Sequence, residues 1–380
     1  MNLTGLSGEQ RMMHDSVLDL LGRALPESKI RELDRAGEFP HEAYQALADA
    51  GWMGLIYPEK YGGMGGSWKD LAVLIEAMSY HYGGIATAYL TTVMYGGMHV
   101  VRHAREDVAA RIVPKIISGE VKMAIGLTEP GGGSDVAGMK TRAVRDGDHY
   151  VVNGSKVYIT CAHVADYIAL IAKTDMDAGR NGVSVFLLDA RAPGVTIRPL
   201  EMLGRRTTHA NEVFLQDVRI PADHILGEEN KGWRNLMGCL NGERMALAAV
   251  SSGNSFKIVD YTLAYARERK AFGQPITSFQ VLQHKIVDMR MLAETARLFT
   301  HRVAELLDAG DPALAETAMA KTISTDANFR CADMGLQIMG GAGYTMDYDM
   351  QMFFRDSRVG PIGGGSNEIQ RNIIAKQMGL

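Results

Sequence analysis

The residues with the clearest chemical potential stand in one run, Gly126-Leu127-Thr128-Glu129-Pro130-Gly131-Gly132-Gly133-Ser134-Asp135. A β-rich stretch ends in a hydroxyl and opens into a turn with three glycines. Without Cβ atoms, the backbone N–H groups of such a turn can approach a planar or anionic ligand closely. The same composition also suits an ordinary glycine-rich turn, so the flanks matter. Thr128 and Ser134 bracket it, and Tyr158-Ile159-Thr160 follows further along the chain. On a regular strand, Tyr158 and Thr160 would present a ring and a hydroxyl to the same side. That pair suits stacking on a flat ring system and bonding its polar edge. His99 and His103 have metal-ligand spacing on an expected helix. No third ligand accompanies them, and no metal is expected.

The elements that would position these residues fall into three blocks: a helical domain over 1–120, a β domain over 121–230 and a helical bundle over 231–380. In the first, Ser7 with Gln10 and Ser67 with Asp70 read as helix caps, and a helix is expected over Ile85 to His103. In the second, short β-rich runs are separated by turn chemistry such as Asp146-Gly147-Asp148 and Asn153-Gly154. Their spacing suggests an antiparallel barrel or sandwich. No GxGxxG follows a strand, which argues against a Rossmann domain. In the third, long helices are expected over Asn241 to Arg267 and Phe279 to Ala309. Pro312 suits the first turn of a helix reaching Met339, and a last helix is expected from Ser366. The fold class expected is α+β multidomain.

Composition narrows the function classes. The 380 residues are 46% hydrophobic and 22% charged, which excludes a largely disordered chain. Forty basic against 44 acidic side chains, with no long basic run, argues against a nucleic-acid partner. No apolar run reaches the roughly 18–20 residues that span a bilayer, and the N-terminus does not read as a secretory signal. Cys161, Cys239 and Cys331 are far apart and odd in number, which fits a reducing cytoplasm.

Over essentially its full length the chain resembles the acyl-CoA dehydrogenase family. Gly126 to Gly138 matches the family's first signature. Pro58 to Gly63 is similar to its PExxGG turn, and Glu268-Arg269-Lys270-Ala271-Phe272-Gly273 to its ERxxFG element. Gln337 to Tyr344, with Asp356, resembles the second signature, except that Met352 stands where Lys or Arg is usual. The resemblance implies a helical–β–helical fold with a C-terminal four-helix bundle, bound FAD, an acyl-CoA substrate, an electron-transfer flavoprotein as oxidant and a homotetramer. It implies that Ile125, Leu127, Thr128 and Ser134 line the flavin. Tyr158, where Trp is usual, and Thr160 would flank the isoalloxazine. Arg269 and Phe272 of a neighbouring subunit would meet the pyrophosphate and adenosine, an arginine fork suiting phosphate oxygens. Gln280, Gln337, Gly341, Ser366 and Glu368 would complete the cofactor contacts, with Ser134, Arg244 and Gly364 near the substrate. For Arg269 the plainer alternative is a solvated residue of the charged run Arg267 to Lys270. For Arg244 it is a structural ion pair.

Removing the α-proton of an acyl thioester needs a carboxylate in an apolar site, where burial lifts its pKa toward neutrality. Many family members carry this Glu just before the last helix, but here Gly364 occupies that position. A second pattern, that of isovaleryl-CoA and long-chain acyl-CoA dehydrogenases, reads ER followed by an apolar stretch. Asn241-Gly242-Glu243-Arg244-Met245-Ala246-Leu247 matches it and names Glu243 as the base. The plainer reading of Glu243 is a carboxylate at a helix start, favoured by the dipole. Glu129 and Glu368 are competing carboxylates that fit structural or cofactor positions. A backbone N–H at Gly364 can still serve the thioester oxygen. Alternatives to a dehydrogenase are a same-fold enoyl-CoA-type reductase or flavin monooxygenase, and a catalytically silent acyl-CoA-binding homologue.

Overall fold

A computed structural model describes residues 3–380. Both expected caps form as full capping boxes: Ser7 with Gln10 starts Gly8–Ala24, and Ser67 with Asp70 starts Trp68–His81. Each box satisfies two backbone donors that a helix start leaves open. Trp68–His81 is buried along one continuous run, Leu71 to Ser79. A helix apolar all round is an interior helix, and this one packs between Gly8–Ala24 and the long helix Gly232–Glu268. The helix expected over Ile85 to His103 is not uniform. It runs as Gly83–Leu90, a seven-residue π-helical segment Thr91–Gly97, and Met98–His103.

The β domain is one seven-stranded sheet. Its strands are β1 (Met123–Gly126), β2 (Arg142–Asp146), β3 (His149–Thr160), β4 (Tyr167–Lys173), β5 (Val183–Asp189), β6 (Val195–Pro199) and β7 (Ala210–Pro221). The order is β1-β4-β2-β3-β7-β6, with β5 on β4. Most pairings are antiparallel, as expected, while β4 pairs parallel with β1 and, at Arg142–Lys173, with β2. The β2–β3 hairpin is the crossover that makes this possible. The Asn153-Gly154 pair read as a turn lies inside β3. There the register on β7 shifts, Asn153 Nδ2 donates to Asp217 Oδ1 at 3.0 Å, and the Asp217 backbone N–H donates to Asn153 Oδ1 at 2.9 Å. A Cβ on Gly154 would come 2.7 Å from the Thr141 Cα, so close packing explains this glycine better than a turn.

The C-terminal helices Gly232–Glu268, Gln280–Asp308, Leu314–Met339 and Asn367–Gln377 pack together as a bundle. Pro312 precedes the third of these instead of opening its first turn. One hydrophobic core runs through the N- and C-terminal helices, and a second fills the inside of the sheet. Met352, where a cation would be usual, is buried in the first core.

Candidate active site

Glu243 is not at a helix start. Its helix begins at Gly232, which places Glu243 roughly three turns inside, beyond reach of the dipole. The residue is 5% exposed, and its Oε1 has no hydrogen-bond partner. Burial pushes its carboxyl up to about 8, and the neighbouring Arg244 offsets this only in part. The preceding residue, Gly242, lets Trp68 press against the helix; a Cβ there would sit 2.6 Å from the Trp68 ring. An apolar wall thus stands beside the carboxylate.

One turn further, Leu247 meets the loop before the last helix. Gly364 has φ +67°, and a Cβ on it would lie 2.4 Å from Leu247 Cδ1. A side chain at 364 would face both left-handed strain and this contact. The loop is held from beneath: Lys321 Nζ donates to Gly365 O at 3.0 Å and Asn367 Oδ1 at 2.9 Å. Arg244 Nε donates to Gly364 O at 3.5 Å, and Gln370 Nε2 to the same oxygen at 3.2 Å. The Gly364 carbonyl is therefore occupied, while its N–H meets no protein acceptor among the described residues. The structure brings Glu243, Arg244 and Gly364 together.

The π-helical segment forms the opposing wall. Its Val93 carbonyl accepts from the Met98 N–H across the widened turn and also from the Tyr57 hydroxyl at 2.8 Å. Gly97 makes room for that hydroxyl, since a Cβ would lie 1.9 Å from it. Tyr95 sits half-buried on this segment, and burial and then the Glu243 charge push its phenol up. Sequence reasoning passed over Tyr95. The signal was the run Thr91-Thr92-Val93-Met94-Tyr95-Gly96-Gly97, whose two glycines and two β-branched threonines fit a regular helix poorly.

On the β domain, Tyr158 and Thr160 do not follow simple alternation. Tyr158 has φ +61°, and the register on β7 shifts between Lys156 and Ile159, so the strand bulges there. Tyr158 is 63% exposed, Ile159 is buried and Thr160 is half-buried. The glycine-rich turn is anchored by Glu129, which accepts from Lys156 Nζ at 2.8 Å, Lys140 N at 2.6 Å and Thr141 N at 3.0 Å. Burial would raise this carboxyl, but Lys156 and these bonds outweigh it and hold it below the ordinary range. Gly131, Gly133 and Ser134 remain exposed above this anchor, and Ile125, Leu127 and Thr128 are half-buried beside it. Ser366 caps Asn367–Gln377, accepting from Ile369 N at 3.4 Å, with Glu368 exposed in the first turn.

Arg269, Phe272 and Gln280 lie elsewhere, past the far end of the long helix. Phe272 and Gly273, both at positive φ, form the turn of a tiny hairpin, Lys270–Ala271 with Gln274–Pro275. Phe272 is 94% exposed, and its ring leans edge-on to Phe279 at 5.9 Å. Gln337 and Gly341 are exposed around the end of Leu314–Met339. His99, by contrast, is fully buried, with neither ring nitrogen partnered, and burial pushes it down to about 3. Its ring centroid lies 6.2 Å from that of His103.

Three family models match most of this chain: the acyl-CoA dehydrogenase N-terminal domain at residues 7–120, the middle domain at 124–218 and the C-terminal domain at 230–379. The chain belongs to the acyl-CoA dehydrogenase family. The probable acyl-CoA dehydrogenase YngJ of Bacillus subtilis is 35% identical over 98% of both chains. The caffeyl-CoA reductase–Etf complex subunit CarC of Acetobacterium woodii is 34% identical over 97% of this chain and 98% of its own. Among solved structures, butyryl-CoA dehydrogenase from Megasphaera elsdenii superposes with TM-score 0.95 at 30% identity, covering 100% of each chain.

This acyl-CoA dehydrogenase family member is thus an FAD-dependent oxidoreductase acting on acyl-CoA. Its residues fit that cofactor. An aromatic face held outward on a bulge, open glycine amides and accessible hydroxyls suit a planar ring with polar edges. A bulky residue kept in the left-handed region, as Phe272 is, costs energy unless it serves a contact.

Proposed function

We propose that the enzyme dehydrogenates an acyl-CoA thioester between its α and β carbons, with Glu243 as the base. The observation that carries this is a buried carboxylate with an unpartnered oxygen beside the Gly364 loop. Leaving such a group unpaired is costly, and catalysis is the use that repays it. Glu243 Oε1 takes the α-proton. The Gly364 N–H, which meets no protein acceptor among the described residues, would serve the thioester oxygen where negative charge builds. Trp68 and Tyr95 keep water from the carboxylate, and Arg244 steadies the loop. FAD, when bound, accepts the β-hydride. Ile125, Leu127, Thr128, Ser134, Tyr158, Thr160, Ser366 and Glu368 would hold its flavin half. Arg269, Phe272, Gln280, Gln337 and Gly341, exposed at the far end, would hold the adenosine half of a neighbouring subunit's FAD, in keeping with the homotetramer that the family resemblance implies. Ser134 and Arg244 would also border the thioester and pantetheine. An electron-transfer flavoprotein is the expected oxidant.

The direction could run the other way in the cell. A carboxyl held near 8 is mostly protonated at neutral pH, which suits giving an α-proton to an enoyl-CoA. The similarity to a caffeyl-CoA reductase subunit favours keeping this second reading. Anaerobic mixing separates the two. Bleaching of the flavin by acyl-CoA supports dehydrogenation. Oxidation of the reduced flavin by an enoyl-CoA, with no bleaching by acyl-CoA, supports reduction. In either direction Glu243→Gln is expected to slow electron transfer by about 10³-fold while FAD stays bound. Rapid oxygen consumption with a hydroxylated product would reject both.

A further inference from the structure

Glycine loses more conformational freedom on folding than any other residue, and the loop before the last helix has three in a row, Gly363-Gly364-Gly365. The last two sit at φ +67° and +83°. Backbone bonds tie the ends of this loop: Gly363 N donates to Val359 O and Asn367 N to Pro361 O, both at 2.9 Å. Among the described residues, its middle is held through carbonyls alone. Gln370 Nε2 donates to Gly364 O at 3.2 Å and to Gly365 O at 2.9 Å, and Arg244 Nε reaches Gly364 O at 3.5 Å. Lys321 Nζ donates to Gly365 O at 3.0 Å and to Asn367 Oδ1 at 2.9 Å. Asn367 is fixed in turn, its Nδ2 donating to Asp326 Oδ1 at 2.8 Å.

Lys321 is an unusual residue for this place. It is fully buried, two turns into Leu314–Met339, and no carboxylate pairs with it among the described residues. Burial pushes its ammonium down to about 8, with Asp326 opposing the shift and the like charge of Arg244 adding to it. A buried ammonium near a second cation is destabilising unless its strong, charge-assisted bonds hold something in place. What it holds lies beside the base. Gly364 packs on Leu247, one turn past Glu243, and its N–H meets no protein acceptor among the described residues.

We propose that Lys321 is a positioning residue for the reaction: through Gly365 O and Asn367 it fixes the glycine loop in the one shape that leaves the Gly364 N–H ready for the thioester oxygen. This rests on the dehydrogenation site proposed above. The competing role for Lys321 is structural, as a tie between Leu314–Met339 and Asn367–Gln377. The two roles differ in what they discriminate. A tie supports the fold and treats all acyl thioesters alike. A positioned N–H favours a thioester whose oxygen has become negative over one that is neutral, because its bond strengthens with that charge.

The test is calorimetric titration of the FAD-loaded protein with two ligands of equal chain length, acetoacetyl-CoA and crotonyl-CoA. The first is acidic enough at its α carbon to bind as the enolate, seen as a long-wavelength charge-transfer band with the oxidised flavin. The second stays neutral. Lys321→Met, close in length but without the ammonium, is expected to lower the affinity for acetoacetyl-CoA relative to crotonyl-CoA about tenfold. Lys321→Gln keeps a neutral donor and is expected to lower that ratio roughly threefold; it decides alone where Lys321→Met does not fold. An equal fall in both affinities, or a ratio unchanged from the wild type, would overturn the proposal. So would a wild type that forms no enolate band. Anaerobic flavin bleaching by acyl-CoA is read separately. Bleaching with an unchanged ratio removes the positioning role and leaves dehydrogenation standing. A ratio that answers to Lys321, in a protein that no acyl-CoA bleaches, contradicts dehydrogenation and leaves the role of Lys321 supported.

Discussion

Two buried glutamates, one on the long helix Gly232–Glu268 and one packed against it, have opposite surroundings. Glu76, on Trp68–His81, is 0% exposed and accepts from Ser252 Oγ at 2.6 Å, His301 Nε2 at 2.8 Å and Arg297 Nε at 3.3 Å. Burial alone would raise its carboxyl, but the His301 charge and hydrogen bond, then Arg297 and Ser252, outweigh it and hold it below the ordinary range. Glu243 is buried to a similar depth with one oxygen unpartnered, and it is pushed up to about 8. Depth is shared, so depth does not decide the role. Partners do: a satisfied buried acid ties helices together, and an unsatisfied one keeps its basicity for something that enters the site.

The contrast can be broken by exchanging effects. Glu243→Gln is expected to slow flavin reduction by about 10³-fold while leaving the thermal midpoint level or higher, since it removes an uncompensated acid. Stopped-flow absorbance and a thermal melt check both halves. Glu76→Ala is expected to do the reverse. It should cost about 3–5 kcal/mol in urea unfolding, because it strips a buried cation network of its anion. Turnover per folded, flavin-loaded molecule should stay near wild type. A catalytic collapse in Glu76→Ala with normal stability would erase the distinction.

The pH dependence sharpens the same comparison. Dehydrogenation needs ionised Glu243, so kcat/KM is expected to rise with pH and level off above about 8, and Glu243→Gln should lose this profile. Stability runs in opposite senses for the two acids. Glu243 titrates higher in the fold than the ordinary 4.5, so its contribution is fully present below 4.5 and is lost as pH rises through about 8. Glu76 titrates lower than 4.5, so its contribution is present above 4.5 and is lost as pH falls through its folded value. Urea midpoints measured across pH for wild type and both variants read these slopes. The smallest expected effect is Ser252→Ala, which removes one bond to Glu76 and should cost about 1.5–3 kcal/mol with no change in the kcat/KM profile.

Much of the architecture was legible because it rests on local chemistry. Ser7 and Ser67 cap helices through side chains three residues apart, and Glu243 and Gly364 stood out against the family's two patterns. What escaped the sequence depends on contacts between distant segments. Nothing in Tyr158 announces φ +61°, because the bulge arises from its register on β7. The Asn153-Gly154 pair has a turn's composition but serves as a strand's close-packed joint against Thr141. The Tyr57 hydroxyl reaches the π-helical segment at Val93 O, a contact between segments remote in sequence.

The central claim is that Glu243 removes the α-proton, and hydrogen exchange at that carbon tests it without electron transfer to an acceptor protein. The FAD-loaded enzyme is incubated in D2O with an acyl-CoA analogue that cannot lose a β-hydride, and the α-proton signal is followed by NMR. The wild type is predicted to incorporate deuterium at the α carbon, and Glu243→Gln with a full complement of FAD is predicted not to. Exchange at the wild-type rate in Glu243→Gln would contradict the assignment of this carboxylate as the base.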